Sequence, residues 1–210
     1  MLKAVLFDLD GTLVNSEEYY MKSMANIAKK LGIDSKPSDF HFCIGKDMDV
    51  TYKFFEEYTK MPKKDWIELY GDYFNNIDPI NFKELLFEDV EDTFIGLKQK
   101  GIKIGICSMS PTYYIEDCIR QCGLEGYVDY YISGENCKNN KPAPDIYLKA
   151  LKDLDLKEDE TLVVEDAKEG IISATKAGIK VVARDDSRFN VDQSGAFEVF
   201  KDLRKLLTII

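Results

Sequence analysis

Five short β-rich runs constrain this chain more than any other feature: residues 3–7 (KAVLF), 103–108 (KIGICS), 130–133 (YYIS), 161–165 (TLVVE) and 180–183 (KVVA). Several are continuously apolar. A strand with one wet face alternates apolar and polar residues, whereas a strand buried on both faces does not. Helical patterns separate the last four runs. Residues 112–122 place Ile115, Cys118 and Ile119 at helical spacing before Gly123. Residues 143–154 carry Ile146, Leu148, Ala150 and Leu151, and residues 169–177 carry Ile171, Ile172 and Ala174 before Gly178. Strand–helix alternation of this kind predicts an α/β fold, a Rossmann-like parallel sheet core with helices on both faces.

The segment between the first two runs breaks the alternation. Residues 17–31 read as a helix with Tyr20, Met24, Ile27, Ala28 and Leu31 on one face and Gly32 as its stop. Residues 47–58 and 63–74 read as further helices. The expected organisation is therefore a core built from residues 1–14 and 83–210, with an inserted all-helical cap domain over 15–82. Residues 91–100 form the helix leading into the second strand, and 203–207 a short amphipathic tail helix.

Composition excludes several functions. The formal net charge of −10 would repel a phosphate backbone, so no nucleic acid is expected as a partner. No apolar run approaches the roughly 20 residues that span a bilayer, and the opening MLKAVLFDLDG lacks the length and cleavage site of a secretory signal. Five scattered cysteines (Cys43, Cys107, Cys118, Cys122 and Cys137) without metal-ligand spacing suggest reduced thiols in a cytoplasmic protein. His41 is the one histidine, which argues against zinc and against a Ser–His–Asp mechanism.

The first strand runs straight into Asp8 and Asp10. Two carboxylates so close repel each other where a core strand surfaces. In parallel α/β sheets, ligands sit beyond the carboxyl ends of the strands. There the first strand brings Asp8 and Asp10, the second Ser108 and then Ser110, the fourth Glu165 and Asp166, and the segment NKPAPD brings Lys141. This is a hard-oxygen site suited to Mg2+, with a hydroxyl donor and an ammonium for a phosphate. Asp8 is then the candidate nucleophile, forming an aspartyl-phosphate, and Asp10 the acid/base group. The plainer readings are a turn acid for the Asp pair, a helix-capping hydroxyl for Ser108, a cap for Asp166 and a solvated loop lysine for Lys141.

The motifs FDLDGTL, CSMS, KPAPD and VVEDAKEGI together resemble the four motifs of the haloacid dehalogenase superfamily, and the resemblance covers residues 3 to about 184. The helical insert resembles the cap of its β-phosphoglucomutase-like and phosphoglycolate-phosphatase-like branch. The resemblance implies Asp8 as nucleophile and Mg2+ ligand, and Asp10 as acid/base with its backbone carbonyl on the metal. It implies Ser108 and Lys141 as holders of the phosphoryl group, Asp166 as a metal ligand, and Glu165 as a ligand directly or through water. Two residues of the insert are candidate substrate contacts: Lys46, by analogy with the branch's cap loop or else a surface lysine, and Tyr20, or else a core aromatic.

The expected activity is a Mg2+-dependent phosphatase acting on a small phosphorylated metabolite, as a monomer or weak dimer, with a cap that closes to exclude water. One alternative is a β-phosphoglucomutase-type sugar-phosphate mutase. Such mutases carry a histidine in the cap helix ten residues after the second Asp, where this chain has Tyr20, which favours hydrolysis. A second alternative is a non-catalytic binding module on the same fold.

Overall fold

The structure is a computed structural model that describes residues 1–43, 48–185, 188–189 and 191–210. The chain divides into two compact units, Met1–Asn15 with Phe82–Ile210 and Ser16–Asn81.

The helical unit is built from α1 (Ser16–Lys30), α2 (Met48–Thr59) and α3 (Lys63–Asp72). Its interior is aromatic. Phe55 stacks on Trp66 with ring centroids 4.3 Å apart, and Phe40 lies behind Phe55 at 6.0 Å. All three side chains are fully buried. The third helix differs from the expectation of a regular helix to residue 74. It gives way after Asp72 to a π-turn, Tyr73–Ile77. The wider turn accommodates Tyr73, which is buried, and Phe74, which meets Tyr19, Tyr20 and Tyr70.

The other unit holds one parallel six-stranded sheet in the order β3-β2-β1-β4-β5-β6. Its strands are β1 (Ala4–Phe7), β2 (Lys103–Ser108), β3 (Tyr130–Ser133), β4 (Thr161–Glu165), β5 (Lys180–Arg184) and β6 (Val199–Phe200). Helices α4 (Phe82–Leu85), α5 (Val90–Gln99), α6 (Thr112–Gln121), α7 (Asp145–Leu154), α8 (Lys168–Lys176) and α9 (Leu206–Ile209) belong to this unit.

The fold class matches the expectation from the apolar runs. β1 is central, and all four of its residues are buried, because both its faces are covered. Leu6 packs with Tyr147, Ala150 and Leu151 of α7 and with Ile171 and Ala174 of α8. Phe7, next along the strand and so on the opposite face, meets Phe94 of α5 at 5.2 Å. β6 was not expected. It is two residues long with Val199 half in solvent, so it carries no strand signal, and it pairs with Ala183 and Arg184 only in the folded chain.

Register decides what reaches the sheet's carboxyl edge. Phe7 lies opposite both Ile106 and Val164. The next residues, Asp8, Cys107 and Glu165, therefore come level, and the Asp8 backbone N–H extends the ladder to Val164 O at 2.9 Å.

A buried ion pair secures the loop that follows β1. Arg184 Nη2 donates to Asp89 Oδ1 at 2.6 Å, and Arg184 Nε donates to the Thr12 carbonyl at 2.7 Å. The remaining Asp89 oxygen accepts the Leu203 N–H at 2.7 Å, and the guanidinium lies over the Phe87 ring. Both ionic side chains are about 95% buried. Removing one partner strands the other charge, so Arg184→Met is expected to destabilise the protein by about 3–5 kcal/mol. Urea unfolding measures this, and adding Asp89→Asn, which keeps the acceptor for Leu203 without its charge, should recover part of the loss.

Candidate active site

Asp8 leaves the end of β1 with only 8% of its surface exposed. Glu165 at the end of β4 and Asp166 just after it are 1% and 6% exposed. Carboxylate oxygens from the three lie within 4.8 Å of one another. Such a cluster is unfavourable without compensation. Part of the compensation comes from Lys141. Its ammonium donates to Asp8 Oδ1, to Glu165 Oε1 at 2.6 Å and to the Cys107 carbonyl at 2.9 Å, which uses all three of its donors. The two carboxylates hold Lys141 protonated, raising its pKa above the ordinary lysine value although burial opposes the charge. Burial pushes the Asp8 carboxyl up to about 7, against the pull of Lys141, and Glu165 adds to the rise.

Local structure serves this cluster. Tyr147 of α7, fully buried, donates its hydroxyl to Glu165 Oε1 at 2.6 Å, and its ring lies 5.1 Å from the Lys141 ammonium. The glycine of VVEDAKEG, Gly170, leaves room for Glu165: a Cβ there would sit 1.9 Å from Glu165 Oε1. Gly11 does the same for Asp166, with φ +75° and its missing Cβ 2.2 Å from Asp166 Oδ2. The Thr12 hydroxyl then donates to Asp166 Oδ1 at 3.1 Å. Since Arg184 holds the Thr12 carbonyl, the buried ion pair connects to the acidic cluster through one residue.

Asp10 has different surroundings. It sits on the turn after β1, where Gly11 N–H bonds back to Val14 O at 2.8 Å. Its Oδ2 accepts from the Ser110 hydroxyl at 2.7 Å and its Oδ1 from the Tyr114 hydroxyl at 2.9 Å. Ser108, 1% exposed at the end of β2, accepts the Ser110 N–H at 3.0 Å and so shapes the turn that presents Ser110.

The structure thus brings Asp8, Lys141, Glu165 and Asp166 together, with Asp10 on the turn after β1 and Ser108 at the end of β2. Tyr20 lies in the helical unit, its ring 5.4 Å from Tyr19 and 5.5 Å from Phe74. Lys46 lies outside the described residues. Sequence reasoning missed Tyr114 and Tyr147. Their helical phase marks them as inward-facing, beside Cys118 and Ala150, but phase does not say where a phenol's hydroxyl ends.

The family described as haloacid dehalogenase-like hydrolase matches residues 5–184. The phosphorylated carbohydrates phosphatase of Thermotoga maritima is 31% identical over 184 residues, covering 85% of this chain and 83% of that protein. CbbY of Rhodobacter sphaeroides, solved in complex with phosphate, has the same fold with a TM-score of 0.80 at 22% identity, over 98% of this chain and 96% of that one. The β-phosphoglucomutase of Clostridium difficile aligns with a TM-score of 0.78 at 24% identity, over 98% and 93%. Among the described residues no helix is long and apolar enough to cross a membrane.

Gly170→Ala tests the packing under the cluster. The added methyl must displace the Glu165 carboxylate, and such overpacking costs about 1–3 kcal/mol. A thermal melt should show Tm lowered by about 2–4 °C for each kcal/mol lost.

Proposed function

The chain belongs to the haloacid dehalogenase-like hydrolase family, and from that premise we propose that it is a Mg2+-dependent phosphatase that hydrolyses a small phosphorylated metabolite through an aspartyl-phosphate on Asp8. The helical unit is its proposed cap domain. The observation that carries this reading is the charge imbalance around Asp8. Three buried carboxylates face one ammonium, and a single divalent cation neutralises the two charges left over. The donors are all oxygen, the set that Mg2+ takes. Asp8 and Asp166 would hold the ion with the backbone carbonyl of Asp10, and Glu165 directly or through water. Mg2+ bound there would offset the carboxylates and draw charge from the phosphoryl oxygens.

In the first step an Asp8 carboxylate oxygen attacks phosphorus, the bond to the leaving oxygen breaks, and Asp10 gives that oxygen a proton. In the second, water attacks the phosphorus of the aspartyl-phosphate while Asp10 takes its proton. The bond between phosphorus and Asp8 breaks, and inorganic phosphate leaves. Lys141 balances the charge of the phosphoryl group beside Asp8, and the Ser108 and Ser110 turn offers hydroxyl and backbone donors. The first step needs Asp8 ionised. Burial, with Glu165 and Asp10 adding to it, holds its pKa near neutrality against the pull of Lys141, and a cation among the carboxylates would bring it down. Five cysteines, all unpaired, suit a reducing cytoplasm.

The test is phosphate release from 4-nitrophenyl phosphate and a panel of sugar phosphates with Mg2+. Asp8→Asn should lower kcat by about three orders of magnitude or more while the protein stays folded. Near-normal turnover in that variant would sink the nucleophile assignment.

Metal removal is a separate expectation. A chelator should abolish turnover, added Mg2+ should restore it, and Asp166→Ala should weaken Mg2+ binding in calorimetry. With β-glucose 1-phosphate and a bisphosphate primer, free phosphate should form faster than glucose 6-phosphate. The opposite ratio would mean a mutase.

A further inference from the structure

The two hydroxyls on Asp10 are not equivalent. Ser110 is a half-exposed loop residue whose hydroxyl donates to Asp10 Oδ2 at 2.7 Å. Tyr114 stands on the first turn of α6, is 7% exposed, and packs its ring edge-on against Phe82 with centroids 4.6 Å apart. Ring packing fixes where its hydroxyl lies, and a buried phenol keeps a polar partner. The Tyr114 hydroxyl donates to Asp10 Oδ1 at 2.9 Å.

We infer that Tyr114 is the positioning residue of Asp10: its hydroxyl, placed by ring packing, holds Oδ1 and so aims the carboxylate that transfers the proton. The inference rests on the acid/base reading of Asp10 above. The terminal torsion of an aspartate is broad and roughly two-fold, so backbone and rotamer preference alone do not aim a carboxylate. One anchor of fixed position does.

In the forward step the Asp10 carboxyl O–H bond breaks and the proton goes to the leaving oxygen. That oxygen keeps the electron pair of its broken bond to phosphorus, while Asp8 forms the new one. Asp10 is then a carboxylate with both oxygens accepting hydrogen bonds, the arrangement seen here. In the second step Asp10 recovers a proton from the attacking water. Proton transfer by a placed group contributes about 10²–10⁴-fold, and losing the anchor should forfeit a share of that without touching attack by Asp8.

Leaving-group dependence separates these effects. Phenyl phosphate and 4-nitrophenyl phosphate are similar in shape, but the phenolate expelled from the first is the more basic and needs the proton more. Tyr114→Phe removes one oxygen and keeps the ring against Phe82. With Mg2+ present, kcat/KM on phenyl phosphate should fall about tenfold, and on 4-nitrophenyl phosphate about twofold or less. A merely structural role would lower both by the same factor, and that result, or no fall on either, overturns the inference. Because the comparison is a ratio within one preparation, it decides the matter even if Tyr114→Phe melts a few degrees lower. Asp10→Asn is measured alongside. If it retains near-normal activity on phenyl phosphate, the acid/base reading itself fails. If it is inactive while Tyr114→Phe lowers both substrates equally, only the positioning inference fails.

Discussion

The ammonium of Lys141 lies against Asp8, Glu165 and the Cys107 carbonyl with all three of its hydrogens committed. Much of the surrounding structure follows from keeping that group and its carboxylates out of water. The parallel register of β1 with β2 and β4 brings Asp8, Cys107 and Glu165 level, so one ammonium can reach all three. Tyr147 adds a donor to the same Glu165 oxygen from α7. Gly170 and Gly11 are bare where the Glu165 and Asp166 carboxylates press on the backbone. Buried ionic groups seldom repay their desolvation, so a cluster with surplus negative charge points to use rather than to stability.

The two carboxylates of the Asp-x-Asp motif sit two residues apart in unlike surroundings. Asp8 is nearly enclosed and faces a cation and two further carboxylates. Asp10 is half-buried and faces two hydroxyls. A pair of titratable groups held in contrasting environments is what separate roles in one reaction require. The buried Arg184–Asp89 pair belongs to the same arrangement. It fixes the Thr12 carbonyl, and Thr12 orients Asp166.

The helical unit solves a different problem with different material. Its few helices bury Phe40, Phe55 and Trp66 together and bring Tyr19, Tyr20 and Phe74 into one cluster. Large rings enclose much apolar area with few residues, which suits a unit of this size. Tyr20 belongs to that packing.

What the sequence determined by itself is the class of fold and the edge at which chemistry gathers. Uninterrupted apolar runs report burial on both faces, and a strand so buried must be followed by its polar residues at a sheet end. Asp8, Ser108, Glu165 and Asp166 were legible there because they directly follow or end such runs. β6 was not legible, since two residues carry no period, and neither was the π-turn after Asp72, which depends on where Tyr73 and Phe74 find room. Only the tertiary structure decided which groups touch. Tyr114 and Tyr147 read as inward-facing helical aromatics, and the roles of their hydroxyls follow from what lies at the far end of each ring. The union of Thr12 with Arg184, 172 residues away, depends on packing between distant segments, which local periodicity does not encode.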